Sequence, residues 1–419
     1  MNRIKFTKLF GRFYYDIQLK EDGITILTGP NGFGKSTILR CIDAFQNGLE
    51  GMLYLINLDF EKIEFIFEDS VFNVKKDDGR LYIDRSSIDI EDVCKKIFRM
   101  FYRPSYFRHI SDEIFYDRIA GKKITTEEIL SNPKILNEII DNSVPLTGFF
   151  SQTFINKIET LKKKIGNIFF IREQRLLANK KELQRQEDKV VNIIEELPER
   201  LKKQISEISE KYSKVANEYD SSYPYRLFNE KSKIDKTEYD KNMKEMKRKF
   251  KKLKEYDISE ININRKIDFK EEYATALKIY FEDFTNKYKV YEEFINKLDL
   301  YIGIINSRLT FKKLRISREY GIQIIDEKKK VLKLSDLSSG EQQEIVLFYE
   351  LIFETPNNSL LLIDEPEISL HIIWQKIFMD DLQKVVKIKN LKVIVATHSP
   401  QIINNYWDNQ VDLGELYGN

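Results

Sequence analysis

Residues 23–45 combine an apolar segment, a glycine-rich loop and a helical segment, and this succession constrains the fold most strongly. The apolar segment 23–28 leads directly into residues 29–36, which read Gly-Pro-Asn-Gly-Phe-Gly-Lys-Ser. The loop fits the pattern G-x-x-x-x-G-K-[ST], whose backbone N–H groups surround a polyphosphate at the start of a helix. Because this pattern needs a buried strand before it and a helix after it, the sequence predicts an α/β fold with a parallel core sheet.

The side chains of this loop predict distinct contacts with a nucleotide. Lys35 would reach the β- and γ-phosphates, and the Ser36 hydroxyl would bind Mg²⁺. A glycine turn without a nucleotide is the alternative, but the strand, the spacing and the helix together favour the phosphate loop. The nucleotide-binding candidates in this loop are Gly29, Pro30, Asn31, Gly32, Phe33, Gly34, Lys35 and Ser36.

Two further apolar segments end in polar side chains. Residues 359–363 precede Asp364 and Glu365, and residues 392–397 precede His398. Ligands collect at the carboxyl ends of parallel strands, so Asp364 is predicted to hold Mg²⁺ through water and Glu365 to orient or deprotonate an attacking water. Alternation along a strand end would point these two carboxylates in different directions. His398 can hydrogen-bond a γ-phosphate oxygen, although a single histidine is more often structural.

Gln174 follows another apolar segment, residues 168–171, within the polar run Arg-Glu-Gln-Arg. It is a candidate for contact with Mg²⁺ or with the attacking water. An ordinary cluster of salt bridges at a strand end is an equally good interpretation of the same residues.

Residues 337–344 read Leu-Ser-Ser-Gly-Glu-Gln-Gln-Glu and lead into an apolar helical segment, 345–353. Such a turn presents the N–H groups and the positive dipole end of a helix to an anion. Taken alone, the stretch is better explained by Ser338 or Ser339 capping a helix whose first turn contains Glu341, and only the other motifs of the chain favour the anion site.

Residues 178–309 are poor in glycine, rich in charge and patterned in heptads. One series runs from Leu201 to Tyr219, and a second, from Leu277 to Leu309, could present one seam for about 50 Å. Two helices are predicted to pair antiparallel, with Pro198 near the start of the first. Between them lies a lysine-rich helix that could contact phosphates, although interspersed acidic residues favour a solvated face. Its basic residues are Lys244, Lys247, Arg248, Lys249, Lys251, Lys252 and Lys254.

Composition limits the classes of protein that fit. With 419 residues, 42% apolar, 32% charged and a net charge of +2, the chain suits a soluble protein of two or three domains, not a polycation. Cys41 and Cys94 form no Cys-x-x-Cys pair, so neither a disulfide framework nor a zinc hook is expected. No apolar run approaches the roughly 20 residues that cross a bilayer. A cytoplasmic protein without a membrane contact is expected.

Taken in this order, and split by a heptad insertion, the motifs resemble the ABC-type ATPase heads of the SMC, Rad50, RecF and OLD group. The resemblance implies a head in two parts, residues 1–177 and 310–419, around a coiled-coil-like insertion, 178–309, with an antiparallel β meander near residues 62–84. It implies ATP and Mg²⁺ as cofactors. The implied roles are Lys35, Ser36 and Thr37 in the phosphate loop, Gln174 in the Q-loop, Ser338, Ser339, Gly340 and Glu341 in the signature, Asp364 and Glu365 in Walker B with the catalytic base, and His398 as the switch histidine.

The sequence also departs from this group. Its signature places Ser339 where a glycine usually lies, and the insertion lacks a zinc hook. OLD nucleases continue into a Toprim domain, whereas this sequence ends at residue 419, shortly after His398. Any nuclease chemistry is therefore expected on another chain.

Residues 168–177, 223–227 and 399–408 are similar to stand-alone AAA-family ATPases of two-gene phage-defence systems such as PARIS and Septu. This resemblance implies a homodimer or higher homo-oligomer, closed by composite ATP sites, that senses an invader and controls a separate nuclease or toxin. The alternative is a RecF- or Rad50-like repair ATPase, with DNA as partner; a phage protein is a further candidate. The large insertion disfavours a transporter motor.

Overall fold

The computed structural model describes residues 1–101, 107–111, 114–118, 121–125, 145–173, 177–180, 189–258, 268–368 and 370–417. The chain divides into two units. The first, called the phosphate-loop unit, comprises Met1–Glu173 and Thr355–Asn419, and the second, called the helical unit, comprises Gln174–Glu354.

Short strands occupy both units. In chain order they are β1 (Arg3–Leu9), β2 (Phe13–Gln18), β3 (Ile24–Thr28), β4 (Lys62–Ile66), β5 (Val71–Asp77), β6 (Arg80–Ile83), β7 (Ser86–Asp89), β8 (Phe107–Ser111), β9 (Ile114–Asp117), β10 (Lys122–Thr125), β11 (Ile168–Ile171), β12 (Leu177–Lys180), β13 (Lys189–Asn192), β14 (Lys312–Ser317), β15 (Gly321–Asp326), β16 (Val331–Leu332), β17 (Leu360–Asp364), β18 (Lys392–Ala396) and β19 (Gln410–Asp412).

The α-helices differ widely in length. In chain order they are α1 (Lys35–Asp43), α2 (Gly48–Asn57), α3 (Ile90–Phe101), α4 (Gln152–Ile165), α5 (Ile193–Asn229), α6 (Lys236–Glu255), α7 (Ala274–Asn306), α8 (Ser339–Tyr349), α9 (Ile372–Lys389), α10 (Pro400–Ile403) and α11 (Leu413–Tyr417). In the part of the chain that the structure describes, no helix combines the length and the apolarity needed to cross a bilayer.

A five-stranded parallel sheet, ordered β11-β17-β18-β3-β19, lies inside the phosphate-loop unit. Every residue of β3 and β17 is buried, as expected for aliphatic strands covered on both faces. Asp364 pairs with Ala396, and Ala396 pairs with Leu27, so β17, β18 and β3 end side by side. The predicted α/β class with a parallel core is therefore confirmed, and the segments ending in candidate site residues share one edge.

An antiparallel sheet, ordered β2-β1-β4-β5-β6-β7, completes this unit. Along β1 the buried side chains Ile4 and Phe6 alternate with more exposed ones, so one face of the sheet is apolar. That face packs in one hydrophobic cluster with Leu39 and Ile42 of α1 and Met52 of α2. The predicted meander is present, and it supports the helix that follows the glycine-rich loop.

The long helices α5 and α7 pair antiparallel in the helical unit. The rings of Tyr212 and Tyr291 stack with centroids 4.8 Å apart, and further along α5 the Arg226 guanidinium forms a bidentate ion pair with Asp283. Residue numbers rise along α5 while those of their partners on α7 fall, so the two helices run antiparallel, as predicted. Pro198 lies inside α5 and not at its start, because the helix begins five residues earlier at Ile193.

Helix α7 ends at Asn306, so the last predicted heptad residue, Leu309, lies outside it. The Asn306 side chain accepts a hydrogen bond from the Leu314 N–H at 2.7 Å and donates one to the Leu314 carbonyl at 3.1 Å. These bonds tie the end of the helix to β14. The heptad pattern therefore extends beyond the helix into the turn that begins the β14-β15-β16 sheet.

The predicted segment 310–419 is divided between the two units, since residues 310–354 belong to the helical unit. Packing explains this division. The buried Tyr301 of α7 donates a hydrogen bond to the Ile345 carbonyl of α8 at 3.0 Å, and the buried Arg308 pairs with Glu344 at 2.9 Å. These contacts join α8 to the long helices.

Candidate functional site

The glycine-rich loop connects the buried end of β3 to α1. Gly29, Gly32 and Gly34 all have positive φ, at 135°, 80° and 87°. At Gly34, which caps α1, an added Cβ would lie 3.1 Å from a Leu9 methyl and 3.2 Å from the Phe10 ring. Both the backbone angle and this close packing therefore require glycine at the position before Lys35.

The Lys35 side chain lies along the loop and is only 4% exposed. Its Nζ donates hydrogen bonds to the carbonyls of Gly29 at 3.0 Å and Pro30 at 3.4 Å. Burial lowers the pKa of Lys35, and the neighbouring carboxylates, Glu365 foremost, oppose that shift. The ammonium is thus placed inside the loop, where a polyphosphate would replace the carbonyls as its partner.

The other loop residues have separate roles. The Phe33 ring packs 5.0 Å from that of Phe13, and its carbonyl accepts a hydrogen bond from Tyr15 at 2.8 Å. The Thr37 side chain is hydrogen-bonded to Tyr54. Phe33 and Thr37 therefore stabilise the loop from behind, while Asn31 and Gly32 are exposed.

Ser36 and Asp364 lie together at the edge of the parallel sheet. The Ser36 hydroxyl donates a hydrogen bond to Asp364 Oδ1 at 2.8 Å. Burial raises the pKa of Asp364. A hydroxyl and a buried carboxylate form the hard oxygen set that Mg²⁺ prefers, and a cation between them would offset the cost of burying the charge. These two residues fit the predicted metal position.

Glu365 does not continue strand β17, which ends at Asp364. Its backbone adopts the left-handed conformation, with φ 46°, and its N–H donates to the Ala396 carbonyl at 2.9 Å. The expected strand alternation of Asp364 and Glu365 is therefore replaced by a turn, a conformation that costs energy for a residue with a side chain. Burial, followed by interaction with the Glu367 carboxylate, raises the pKa of Glu365.

His398 reaches the same cluster from the end of β18. Its Nε2 lies 2.5 Å from Lys35 Nζ and 3.3 Å from Glu365 Oε1, and its Nδ1 lies 3.2 Å from the same Lys35 nitrogen. Burial and the positive charge of Lys35 lower the pKa of His398. Because an ammonium can only donate, the imidazole that faces it must present an unprotonated nitrogen, which fits a neutral histidine.

Glu367 is a residue to which the sequence analysis assigned no individual role. One of its oxygens, Oε1, accepts hydrogen bonds from the Thr397 hydroxyl at 2.6 Å and from the His398 N–H at 2.7 Å. The available signal was a third carboxylate shortly after the strand that ends at Asp364. Its partners could not be inferred, because they depend on the turn that follows Glu365.

In the helical unit, Ser338 and Glu341 form a capping box at the start of α8. The Ser338 hydroxyl accepts a hydrogen bond from the Glu341 N–H at 3.4 Å, and Glu341 Oε2 accepts one from the Ser338 N–H at 3.0 Å. The capping interpretation is therefore correct. It leaves Ser338 and Ser339 exposed at the helix N-terminus, and the role of residues 338–341 in nucleotide binding stays a prediction.

The predicted site residues therefore fall into three groups. Lys35, Ser36, Asp364, Glu365 and His398 meet at one edge of the sheet, whereas the signature residues belong to the helical unit. Gln174 lies outside the described residues.

Comparisons with known proteins identify the family of this chain. A family described as the AAA ATPase domain matches residues 10–403. The spermidine/putrescine import ATP-binding protein PotA of Mycoplasma genitalium is 24% identical over 428 residues, covering 91% of this chain and 68% of the relative. A probable iron chelatin transport ATP-binding protein of Helicobacter pylori is 36% identical over 70 residues, which are 17% of this chain and 26% of that protein.

Among solved structures, an Smc head domain with an extended coiled coil, bound to the C-terminal domain of ScpA and derived from Pyrococcus furiosus, is 16% identical. That match covers 98% of this chain and 92% of the other, with a TM-score of 0.39.

The family match spans most of the chain and includes the phosphate loop, both carboxylates of the edge cluster and His398. The chain therefore belongs to the AAA ATPase domain family.

Proposed function

We propose that this ATPase binds and hydrolyses Mg²⁺-ATP at the edge formed by β3, β17 and β18. The observation that supports this most is the contact of His398 with both Lys35 and Glu365, beside the hydrogen bond from Ser36 to Asp364. Lys35 holds the phosphates, and Ser36 and Asp364 hold the metal. When bound, Mg²⁺ supplies positive charge that stabilises the phosphate oxygens.

The chemical step is assigned to Glu365 and His398. A carboxylate with a raised pKa accepts a proton from water more readily than an ordinary glutamate does. A neutral His398 can donate one N–H to a phosphate oxygen while it stays near Lys35. Together they orient the attacking water and report whether the γ-phosphate is present.

We further propose that residues 338–341 of one chain close the ATP site of a second chain. The exposed N-terminus of α8 offers N–H groups and a positive dipole end to an anion. Two such sites make a homodimer whose stability depends on ATP, with higher assemblies built from it. Hydrolysis then loosens the pair and moves the α5–α7 arm.

At the level of the cell, we assign this ATPase a cytoplasmic role as sensor and scaffold in anti-phage defence. It would hold or release a nuclease or toxin encoded separately. The similarity of residues 168–177, 223–227 and 399–408 to ATPase subunits of such systems supports this role, as does the long helical arm, which offers a surface for a partner.

Co-purification tests the defence role. The tagged chain is expressed with the proteins encoded beside it, in the presence of ATP, and compared with Lys35→Ala. A nuclease or toxin that copurifies in a fixed ratio with the wild type, and is lost with Lys35→Ala, is the expected result. Retention of membrane subunits would instead place the chain with import ATPases, in line with the names of its relatives.

DNA binding is the second candidate function, and α6 supplies the observation that favours it. Lys244, Lys247, Lys251 and Lys254, here called the lysine stripe, are exposed and recur every three or four residues. At 100° per residue they lie on one flank of the helix, whereas Glu245 projects from the other side and pairs with Arg248. Glu238 and Glu245 thus lie away from the stripe, whereas Asp240 and Glu255 lie four residues from Lys244 and Lys251, at its two ends.

The lysine stripe predicts a salt-dependent contact with the phosphates of duplex DNA. Changing its four lysines to glutamine is expected to weaken binding and to reduce the slope of log K against log salt by about three to four. Equilibrium titration of a labelled duplex at several salt concentrations, with ATP present, measures this slope. The matched control replaces Lys203, Lys211, Lys214 and Lys270, four exposed lysines of the same unit, and equal losses in both variants would rule out the stripe.

A further inference from the structure

Glu367 connects the segment after β17, which carries Glu365, to the segment after β18, which carries His398. It lies two residues after Glu365, in the turn that follows β17, and its Oε1 accepts three hydrogen bonds from the segment after β18. The donors are the Thr397 hydroxyl at 2.6 Å, the His398 N–H at 2.7 Å and the Ser399 N–H at 3.0 Å. Thr397 is fully buried. One carboxylate oxygen therefore fixes the backbone on both sides of the His398 Cα.

Gln375 of α9 supplies a second connection between the same two segments. Its Oε1 accepts a hydrogen bond from the Ser399 hydroxyl at 2.7 Å, and its Nε2 donates one to the Leu370 carbonyl at 3.0 Å. The Leu370 N–H in turn donates to the Glu367 carbonyl at 2.9 Å. The turn after β17 and the segment carrying His398 are thus joined through side chains at two points.

The chemistry of these bonds explains why a carboxylate is suited to this position. An ionised acceptor forms shorter and stronger hydrogen bonds than a neutral one, and it can accept several donors at once. The N–H groups of residues 398 and 399 belong to no regular strand hydrogen bond here, because β18 ends at Ala396. Without Glu367 the His398 N–H loses this partner, the Ser399 N–H keeps only the Thr397 hydroxyl at 3.0 Å, and the backbone that orients the His398 ring gains freedom.

We propose that Glu367 is a positioning residue for ATP hydrolysis, which holds the His398 ring in place between Lys35 and Glu365. It acts on hydrolysis through His398, and its separate interaction with the Glu365 carboxylate, which helps to raise the pKa of that base, does not depend on the ring. Any displacement of the turn after β17 is transmitted to the histidine through the same carboxylate. This inference rests on the role assigned to His398 above.

A double-mutant cycle tests the proposal, because the part of the Glu367 effect that acts through His398 disappears once that ring is removed, whereas the part that acts on Glu365 remains. Glu367→Ala is expected to lower kcat about 10- to 100-fold, as for a misplaced catalytic group, while the dissociation constant for ATP changes less than about threefold. In the His398→Ala background the same change is expected to lower kcat at least about fivefold less than it does in the wild type, the remaining effect being due to Glu365. Steady-state ATP hydrolysis and fluorescent-nucleotide titration supply both quantities.

Two further variants separate positioning from simple destabilisation. Glu367→Gln keeps an acceptor oxygen without the charge and is expected to recover most of the lost kcat, to within about fivefold of wild type. If Glu367→Ala does not fold, the double-mutant cycle with His398→Ala is measured with Glu367→Gln instead. Asp84→Ala removes a carboxylate of the same unit that accepts the Asn73 N–H at 3.0 Å, remote from the site, and should leave kcat unchanged.

The outcomes are distinct. If His398→Ala hydrolyses ATP at the wild-type rate, the assignment of His398 fails, and the inference about Glu367 fails with it. If His398→Ala is slow but the Glu367 variants lower kcat by the same factor in both backgrounds, the proposed ATPase mechanism stands and only the positioning role is overturned.

Discussion

Replacing Glu365 with glutamine is expected to slow ATP turnover by on the order of 10²- to 10⁴-fold, the usual effect of losing a general base. The amide fills the same space but cannot accept the proton of the attacking water. Lys35, Ser36 and Asp364 remain in place, so ATP binding should persist. The variant is therefore expected to accumulate in the ATP-bound, associated state.

Two measurements check this result together. Steady-state phosphate release gives the turnover, and light scattering on a sizing column gives the mass with and without Mg²⁺-ATP. Glu64→Gln, the same substitution at a surface ion pair with Lys62, is the matched control and should behave as wild type. Turnover of Glu365→Gln within about threefold of wild type would remove Glu365 from its proposed role.

The strands that carry this cluster can be recognised in the sequence by their aliphatic composition. Residues 24–27, 360–363 and 393–396 are aliphatic except for Thr25, which identifies them as inner strands of a parallel sheet. Because ligands gather at the carboxyl ends of such strands, Asp364, Glu365 and His398 could be predicted to lie near Lys35. In the structure His398 Nε2 lies 2.5 Å from Lys35 Nζ and 3.3 Å from Glu365 Oε1, and Asp364 accepts a hydrogen bond from Ser36, the neighbour of Lys35, at 2.8 Å.

Residues whose role depends on a turn or on tertiary packing could not be predicted in this way. The left-handed backbone of Glu365 has no sequence signal, since glutamate rarely adopts it, and the partners of Glu367 depend on that turn. Likewise, the heptad spacing continues through Leu309, although α7 ends at Asn306. The Asn306 side chain is hydrogen-bonded to Leu314, and this contact ties the end of the helix to β14. Periodicity records which residues are apolar, not where a polar contact ends the helix.

The separation of the lysine stripe from Glu245 illustrates the same limit on charge patterns. In sequence, Lys244 and Glu245 are adjacent and suggest a mixed, solvated face. Once the segment is a helix, adjacent residues are 100° apart, and Glu245 is paired with Arg248. A charge pattern therefore indicates which residues share an exposed face only when the buried face of the helix is known. In α6 the buried face is the one that carries Met246 and Leu253.

Substituting Ser338 with arginine is expected to lower the rate of ATP turnover at least about tenfold. Nucleotide binding to the phosphate loop should be retained. The reason is geometric: Ser338 is the exposed N-cap of α8, and a long cation there blocks the surface proposed to meet a second chain. Ser338→Ala is the matched control, because it removes the capping hydroxyl without adding bulk and should cost about 1 kcal/mol of stability. The wild-type rate per chain is expected to rise with protein concentration.

Mixing two inactive variants gives the sharpest form of this prediction. Ser338→Arg keeps Lys35, and Lys35→Ala keeps Ser338, so a heterodimer of the two contains one complete composite site. Turnover in the mixture should exceed the sum of the separate rates, and it should increase with total concentration until heterodimers are saturated. If the mixture hydrolyses ATP no faster than that sum, or if wild-type turnover per chain is independent of concentration, residues 338–341 do not complete the site of a second chain. The capping box would then be the whole function of Ser338 and Glu341.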